Sequence, residues 1–373
     1  MQHKLWTAVC AAGLLTVVSF GQARAESDIT FAAFLPLTGS SAAVGIEEQQ
    51  GVQFALEEIN AAGGINGHQL QINFDDTQGK PDQAVLAFNR EVDLHAIPAA
   101  ITAFSVPSLA IAPLVTRKKV LVINPAAQAD KLGEASRYLF NTMPLTRDET
   151  EVLAHYLVKT LGKKTAAIIY ENSAAGIDGR NDFSANFTRF GGKIVSDEPV
   201  PPGDTNFRPA LLKTASAKPD VVFVNVVQGG TLPQFVQQAG QQGNFPTVVG
   251  TTFLTPAMGL PGSDNWYYTA IRGTLPPAVE QGIMKKFGTK SVSVYSREYY
   301  NATHILATVA KAVLDAKEEL TGDAMREELL KIKTFRGIAD VSFTSNTAVR
   351  NIDILQVQKG VGTKVAEGAV GQN

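Results

Sequence analysis

The sequence predicts an α/β protein of two domains with parallel sheets, and three observations carry that reading. From Ile29 to about Gly250 short β-rich runs alternate with amphipathic stretches, the rhythm of repeated βαβ units. The chain has 373 residues, and 348 remain once the export segment described below is set aside, more than one hydrophobic core usually serves. After residue 270 the rhythm changes to long helical stretches followed by two hairpin-like strands.

The elements follow in order. Ile29 to Leu35 reads as a buried strand. Residues 47–62 place Val52, Ala55, Leu56 and Ile59 on one helical face, and Gly63-Gly64 stops that helix. Leu70, Ile72 and Phe74 alternate as the next strand. Further strands are expected at 96–102, 120–124, 165–170, 194–200, 221–227 and 247–251. Helices fall between them at 82–94, 106–117, 146–161, 178–189, 207–217 and 231–242. Beyond residue 270 come helices near 278–287, 296–320 and 321–332, then strands at 339–343 and 352–358. The stretch from Gly360 onward is glycine-rich and poor in apolar anchors, so it is expected to be irregular.

The first 25 residues read as an export address. His3 and Lys4 precede an apolar run from Leu5 to Phe20, and Ala23-Arg24-Ala25 forms a small-x-small cleavage site, so the mature chain is expected to start at Glu26. That apolar core is shorter than the roughly 20 residues a permanent membrane span needs. Cys10 sits near the start of the run, where a lipid-attachment cysteine cannot lie. Its removal leaves no thiol, which excludes disulfides, cysteine metal sites and cysteine nucleophiles together. After residue 25 there are 31 Lys and Arg against 35 Asp and Glu, a net charge of −4. This argues against nucleic acid or an anionic membrane as partner, since both select clustered basic surface. A small diffusing ligand remains.

In an open parallel sheet, ligands bind beyond the carboxyl ends of the strands, where helix N-termini offer unpaired N–H groups. That rule selects the loops 36–45, 102–106, 125–129, 171–179, 228–231 and 252–255, with Phe104 and Phe253 as their aromatic members. Ser105 precedes Val106-Pro107 and reads equally as a helix N-cap or as a ligand hydroxyl, and one oxygen can serve both. Gly63-Gly64-Ile65-Asn66-Gly67 is no dinucleotide loop, because it follows a helix and precedes a strand. His68, His95, His155 and His304 lack any metal-ligand spacing, so neither a metal nor a cofactor is expected. No serine stands in GxSxG and no base is spaced to serve one, so the chain is expected not to be an enzyme.

Several ordered segments then resemble one family over nearly the whole mature chain. They are Leu35-Pro36-Leu37-Thr38-Gly39-Ser40 with Val44-Gly45, the run from Ala55 to Gly67, Asp75-Asp76-Thr77-Gln78-Gly79-Lys80-Pro81, Asn124-Pro125-Ala126-Ala127, and the run from Pro201 to Phe207. The chain resembles the extracytoplasmic substrate-binding proteins of branched-chain amino-acid ABC transporters, which have the type I periplasmic-binding fold. The resemblance implies two Rossmann-like lobes joined by three hinge crossovers. Lobe 1 would be about 26–143 plus 271–345, and lobe 2 about 144–270 plus 346–373. It also implies that Ser105 and the Ala126 backbone hold a ligand carboxylate. Gln128 stands where the family has a threonine, Ala175 before Gly176 where it has a tyrosine, and Thr231 near its ammonium-binding acid. These departures suit a larger, amine-free acid, with Glu171 or Asp178 as the substitutes available to an ammonium. The implied function is capture of a small carboxylate-bearing solute by a monomer that closes on it and delivers it to a membrane permease with an ATPase. The alternatives are a ligand-sensing module for a signalling receptor and, weakest, an extracytoplasmic hydrolase.

Overall fold

The computed structural model describes residues 28–226, 231–257, 259–271, 273, 275–335 and 341–368. The export segment with Cys10, the loop positions Gln228, Gly229 and Gly230, and residues 369–373 lie outside the described residues.

The first sheet is built from β1 (Ile29–Leu35), α1 (Ala42–Ala61), β2 (Leu70–Asp76), α2 (Pro81–His95), β3 (Ala99–Thr102), α3 (Ser105–Lys118), β4 (Leu121–Asn124) and β5 (Leu139–Asn141). Its strands run parallel in the order β2-β1-β3-β4-β5. Helices cover both faces, so β1, β3 and β4 are almost wholly buried and read as continuous apolar runs rather than alternating ones. Gly63 and Gly64, with φ of 101° and 73°, end the α1 region where a β-carbon on Gly64 would lie 2.0 Å from the His68 carbonyl oxygen.

The chain then crosses to a second sheet through α4 (Thr146–His155), which a π-helical turn, Tyr156–Thr160, extends. There follow β6 (Thr165–Glu171), α5 (Ala174–Arg189), β7 (Lys193–Val200), α6 (Arg208–Ser216), β8 (Val221–Asn225), α7 (Leu232–Gly240), β9 (Thr247–Gly250) and β10 (Tyr267–Ile271). It returns as α8 (Pro277–Phe287), α9 (Val294–Asp315) and α10 (Gly322–Ile332), and the last two join the core of the first sheet. A small three-stranded sheet of β11 (Thr334–Phe335), β12 (Val341–Phe343) and β13 (Ala348–Val349) packs on that same core. The third passage leads into the hairpin β14 (Ile352–Gln358) and β15 (Val361–Gly368), which adds to β10 antiparallel. The second sheet runs β15-β14-β10-β9-β8-β6-β7. Counting its parallel strands from β6, the winding is 2-1-3-4-5, the same as in the first sheet. The fold is α/β, with two doubly wound lobes joined by three crossovers.

Three expectations need correction. The segment after Gly360, expected to be irregular, is the edge strand β15, whose register is held by backbone pairing with β14 rather than by apolar side chains. The strands expected at 339–343 and 352–358 do not form a hairpin with each other: the first pairs with β11 and β13, the second with β10 and β15. Strands β5 and β10 were not expected. β5 has only three residues, and β10 begins in the aromatic run Trp266-Tyr267-Tyr268 just after a turn.

The helices α1 and α9 pack closely because Gly51 lets them approach. A β-carbon at Gly51 would lie 2.1 Å from the Ser296 carbonyl oxygen and 2.9 Å from the Tyr300 nitrogen. Ser296 Oγ also donates to the Glu47 carbonyl at 2.8 Å across the same contact. We expect Gly51→Val to cost at least about 1–3 kcal/mol by forcing the helices apart. A thermal midpoint equal to wild type would refute the close contact.

Candidate functional site

Both switch points lie at the carboxyl ends of strands whose following loops turn toward one cavity of about 400 Å³. The six loops selected from the strand-end rule all contribute to its wall, and Ser105, Ala126, Gln128, Phe104, Ala175, Thr231 and Phe253 are all on it. The described part of the loop 228–231 contributes through Thr231.

On the first lobe, β3 ends at Thr102 and the chain turns through Phe104, whose φ of 58° and ψ of 148° are strained for a non-glycine residue. Ser105 is the first helical residue of α3, not its N-cap, and makes no side-chain cap bond. Its Oγ accepts from the Ala129 N–H at 3.3 Å instead, which leaves the hydroxyl proton to donate. A buried contact between Thr102 Oγ1 and Ser108 Oγ at 3.1 Å pins the first turn of α3 to the strand it follows.

The loop after β4 is shaped by Asn124, which accepts from the Ala127 N–H at 3.0 Å and donates to the Ala127 carbonyl and to Asn141 Oδ1, each at 2.7 Å. Among the described residues, the backbone N–H groups of Ala126 and Gln128 have no protein acceptor. The Gln128 amide does not offer its nitrogen to the cavity. That nitrogen donates to the Pro144 carbonyl at 2.7 Å and to the Glu149 carboxylate, while the backbone carbonyl of Gln128 accepts from Thr146 N at 3.0 Å and Thr146 Oγ1 at 3.1 Å.

The second lobe supplies Ser173, which caps α5 by accepting from Gly176 N at 3.3 Å, and Ala175, whose carbonyl takes a bond from Asn225 Nδ2 at 3.1 Å. Glycine at 176 lets α5 start against the end of β6, since a β-carbon there would lie 1.9 Å from the Glu171 carbonyl oxygen. Of the two acids considered as ammonium partners, Glu171 is on the cavity wall and only 2% exposed. Asp178 is not on the wall. It adds its charge to a cluster with Asp130, Asp182 and Arg147, where burial and then the Asp130 and Asp178 charges push the Asp182 carboxyl up to about 7.

The wall also holds Glu48, Gly79, Thr146, Gly203 and Tyr295, which the loop rule did not select. Gly79 follows β2, so the same rule applied to that strand end reaches it. Glu48 lies one helical turn beyond Val44, a member of a selected loop, and therefore on the same face. Burial pushes the Glu48 carboxyl up to about 8, and the Tyr299 hydroxyl stands beside it. Among the described residues no group of three His, Cys, Asp or Glu side chains could hold a metal ion, and no helix is long and apolar enough to cross a membrane.

Two sheets of identical winding, three crossovers and a cavity lined from both switch points define a bilobal solute-capturing protein of the type I periplasmic-binding architecture. The family model described as periplasmic binding protein matches residues 28–362, and the chain belongs to that family. It is similar to the Leu/Ile/Val-binding protein homolog 3 of Brucella melitensis, with 30% identity over 280 residues, 74% of this chain and 71% of that one. Its fold matches the branched-chain amino acid transporter substrate-binding protein LivJ of Streptococcus pneumoniae in complex with isoleucine, with a TM-score of 0.79, 24% identity and coverage of 92% of this chain and 99% of that one. It matches equally a solute-binding protein of an ABC transporter from Rhodopseudomonas palustris in complex with 3,4-dihydroxybenzoic acid, with a TM-score of 0.80, 20% identity and coverage of 92% and 98%.

Proposed function

We propose that this protein is exported to the periplasm as a monomer, captures a small carboxylate-bearing solute in its cavity, and delivers it to the permease of an ABC importer. The observation that carries this reading is the cradle at the first lobe: the Ser105 hydroxyl proton and the unspent N–H groups of Ala126 and Gln128 at one wall. Three donors and the N-terminus of α3 suit an anion, and carboxylate accepts from such groups in short, charge-assisted bonds. The lobes, with borders near 143, 270 and 345, close over the solute, so that wall contacts from the second lobe form only in the shut state. That contact energy shifts the population toward the form a permease recognises. Catalysis plays no part.

The second lobe faces the solute body with Ala175, Thr231 and Phe253, a small, a hydroxyl and an aromatic side chain. This composition favours an aromatic or aliphatic carboxylic acid. An amino acid is the second reading, favoured by Glu171, an acid on the wall that could meet an ammonium group. Micromolar affinity corresponds to about 8 kcal/mol, within reach of a few charge-assisted bonds and burial of an apolar body.

A thermal-shift screen tests the reading, since a ligand that binds only the folded state raises the melting temperature. Aliphatic amino acids and amine-free acids form the two panels, and a screen in which neither shifts the midpoint would sink it. For whichever acid binds, Ser105→Ala is expected to weaken affinity about 10- to 100-fold, the loss of one hydrogen bond to a charged group. Calorimetry giving an unchanged Kd would remove Ser105 from the cradle.

A further inference from the structure

The wall of the first lobe contains a charged residue type that the carboxylate cradle does not use. Glu48 on α1 is 1% exposed and lines the cavity beside Tyr295. Its Oε2 has no hydrogen-bond partner among the described residues. The groups facing it are Glu47 on its own helix and Tyr295 and Tyr299 on α9, with Glu171 on the opposite lobe's wall of the same cavity. None is a cation.

The proton bookkeeping around Glu48 is constrained by Tyr299. That phenol has a single proton, and it donates it to the Thr102 carbonyl at 3.0 Å. What the phenol presents to the Glu48 carboxyl is therefore an oxygen that accepts. Glu48 satisfies it only as a neutral acid, donating its own proton, and the burial that pushes its carboxyl up to about 8 supports the same state at neutral pH. One carboxyl oxygen is then committed to Tyr299, and the other remains a carbonyl-like acceptor with nothing to receive. Leaving a buried acceptor unmet is costly, and a ligand that supplies a donor removes that cost.

We infer that Glu48 is a specificity-determining residue that accepts a hydrogen bond from a neutral donor, a hydroxyl group, on the body of the bound acid. The inference rests on the carboxylate reading above and refines it: the preferred solute is a hydroxy acid, anchored by its carboxylate at Ser105 and read by its hydroxyl at Glu48. An ammonium donor would instead draw the proton off Glu48 and take away the bond to Tyr299.

Calorimetry of the exported protein with benzoate, 3-hydroxybenzoate, 4-hydroxybenzoate, 3,4-dihydroxybenzoate and leucine tests this. At least one hydroxylated acid is expected to bind ten-fold or more tightly than benzoate, a comparison that needs no variant. Glu48→Leu should close that gap, the hydroxylated acid losing ten-fold or more relative to benzoate. Glu48→Gln should keep it, because the glutamine amide donates to Tyr299 and offers the same free carbonyl. Equal affinity for benzoate and every hydroxylated form overturns the inference but leaves the carboxylate reading standing. So does a gap that survives Glu48→Leu, or leucine binding tightest with release of about one proton, read from the buffer dependence of the enthalpy. If none of the five binds, the carboxylate reading falls, and this inference with it.

Discussion

Replacing Arg350 by methionine is expected to destabilise the protein by about 3–5 kcal/mol, seen as a large fall in the urea midpoint. Arg350 Nη1 lies 2.6 Å from Glu298 Oε2, both side chains are wholly buried, and Arg297 Nε meets the other carboxylate oxygen at 2.9 Å. Arg350 Nη1 also donates to the Thr142 carbonyl at 3.4 Å. Thr142 follows β5 and Arg350 follows β13, so one guanidinium ties the first crossover to the third through α9. Removing it leaves the buried carboxylate with Arg297 as its one cationic partner among the described residues. The double variant Glu298→Gln with Arg350→Met is expected to recover much of the loss, because no buried charge is then unmet. Burial pushes the Glu298 carboxyl up, but Arg350 and Arg297 together outweigh it and hold it below the usual glutamate range. A depressed acid stabilises the fold above its unfolded pKa, and that contribution is lost as pH falls through the folded one. Acid should therefore narrow the gap between wild type and Arg350→Met. A gap that widens below pH 4 would contradict the ion pair's role.

The rhythm of strands and helices was legible because doubly wound lobes bury their strands on both faces and leave helices one apolar side. Ile29–Leu35 and the helical face carrying Val52, Ala55 and Ile59 needed no tertiary information. β15 was not legible, since an edge strand held by backbone pairing carries no apolar signature. The site divides in the same way. Loops at strand ends follow from the chemistry of parallel sheets, and they brought Ser105, Ala126 and Ala175 to one wall. Of the two local roles open to Ser105 the N-cap does not form, because whether a serine caps a helix or begins it turns on one φ/ψ pair at Phe104. Glu48 and Tyr295 reach the cavity from the side of two helices, which depends on how closely α1 and α9 pack at Gly51. Nothing local in the sequence encodes that distance.

Glu149 should be the second residue whose loss is felt throughout the molecule. It sits in the first turn of α4, fully buried, and no cation among the described residues pairs with it. Oε2 accepts from Thr252 N at 2.9 Å, from Thr252 Oγ1 at 2.8 Å and from Thr269 Oγ1, while Oε1 accepts from Gln128 Nε2. Four donors thus converge from the cavity loop of the first lobe, the end of β9 and the strand β10 that precedes the second crossover. Truncation to alanine strands Thr252 N and Thr269 Oγ1, while Thr252 Oγ1 keeps the Thr269 carbonyl at 3.2 Å and Gln128 Nε2 keeps the Pro144 carbonyl at 2.7 Å. At about 1–3 kcal/mol for each stranded donor that water does not reach, a loss of at least about 2 kcal/mol is expected in urea unfolding. Burial pushes the Glu149 carboxyl up, and bonds from Thr269, Gln128 and Thr252 only partly offset it. For an acid raised in the folded state, stability is greatest below the unfolded pKa and declines as pH rises through the folded one. Wild type should lose stability over that range relative to Glu149→Gln. The same glutamine variant sets an amide nitrogen against Gln128 Nε2, a donor facing a donor, which can be relieved only by turning Gln128 away from Pro144. Because the Gln128 N–H belongs to the proposed cradle, Glu149→Gln should weaken solute affinity several-fold even where the fold is intact. A variant that matches wild type in both Kd and pH dependence would show that Gln128 is positioned by its backbone bonds to Thr146 alone.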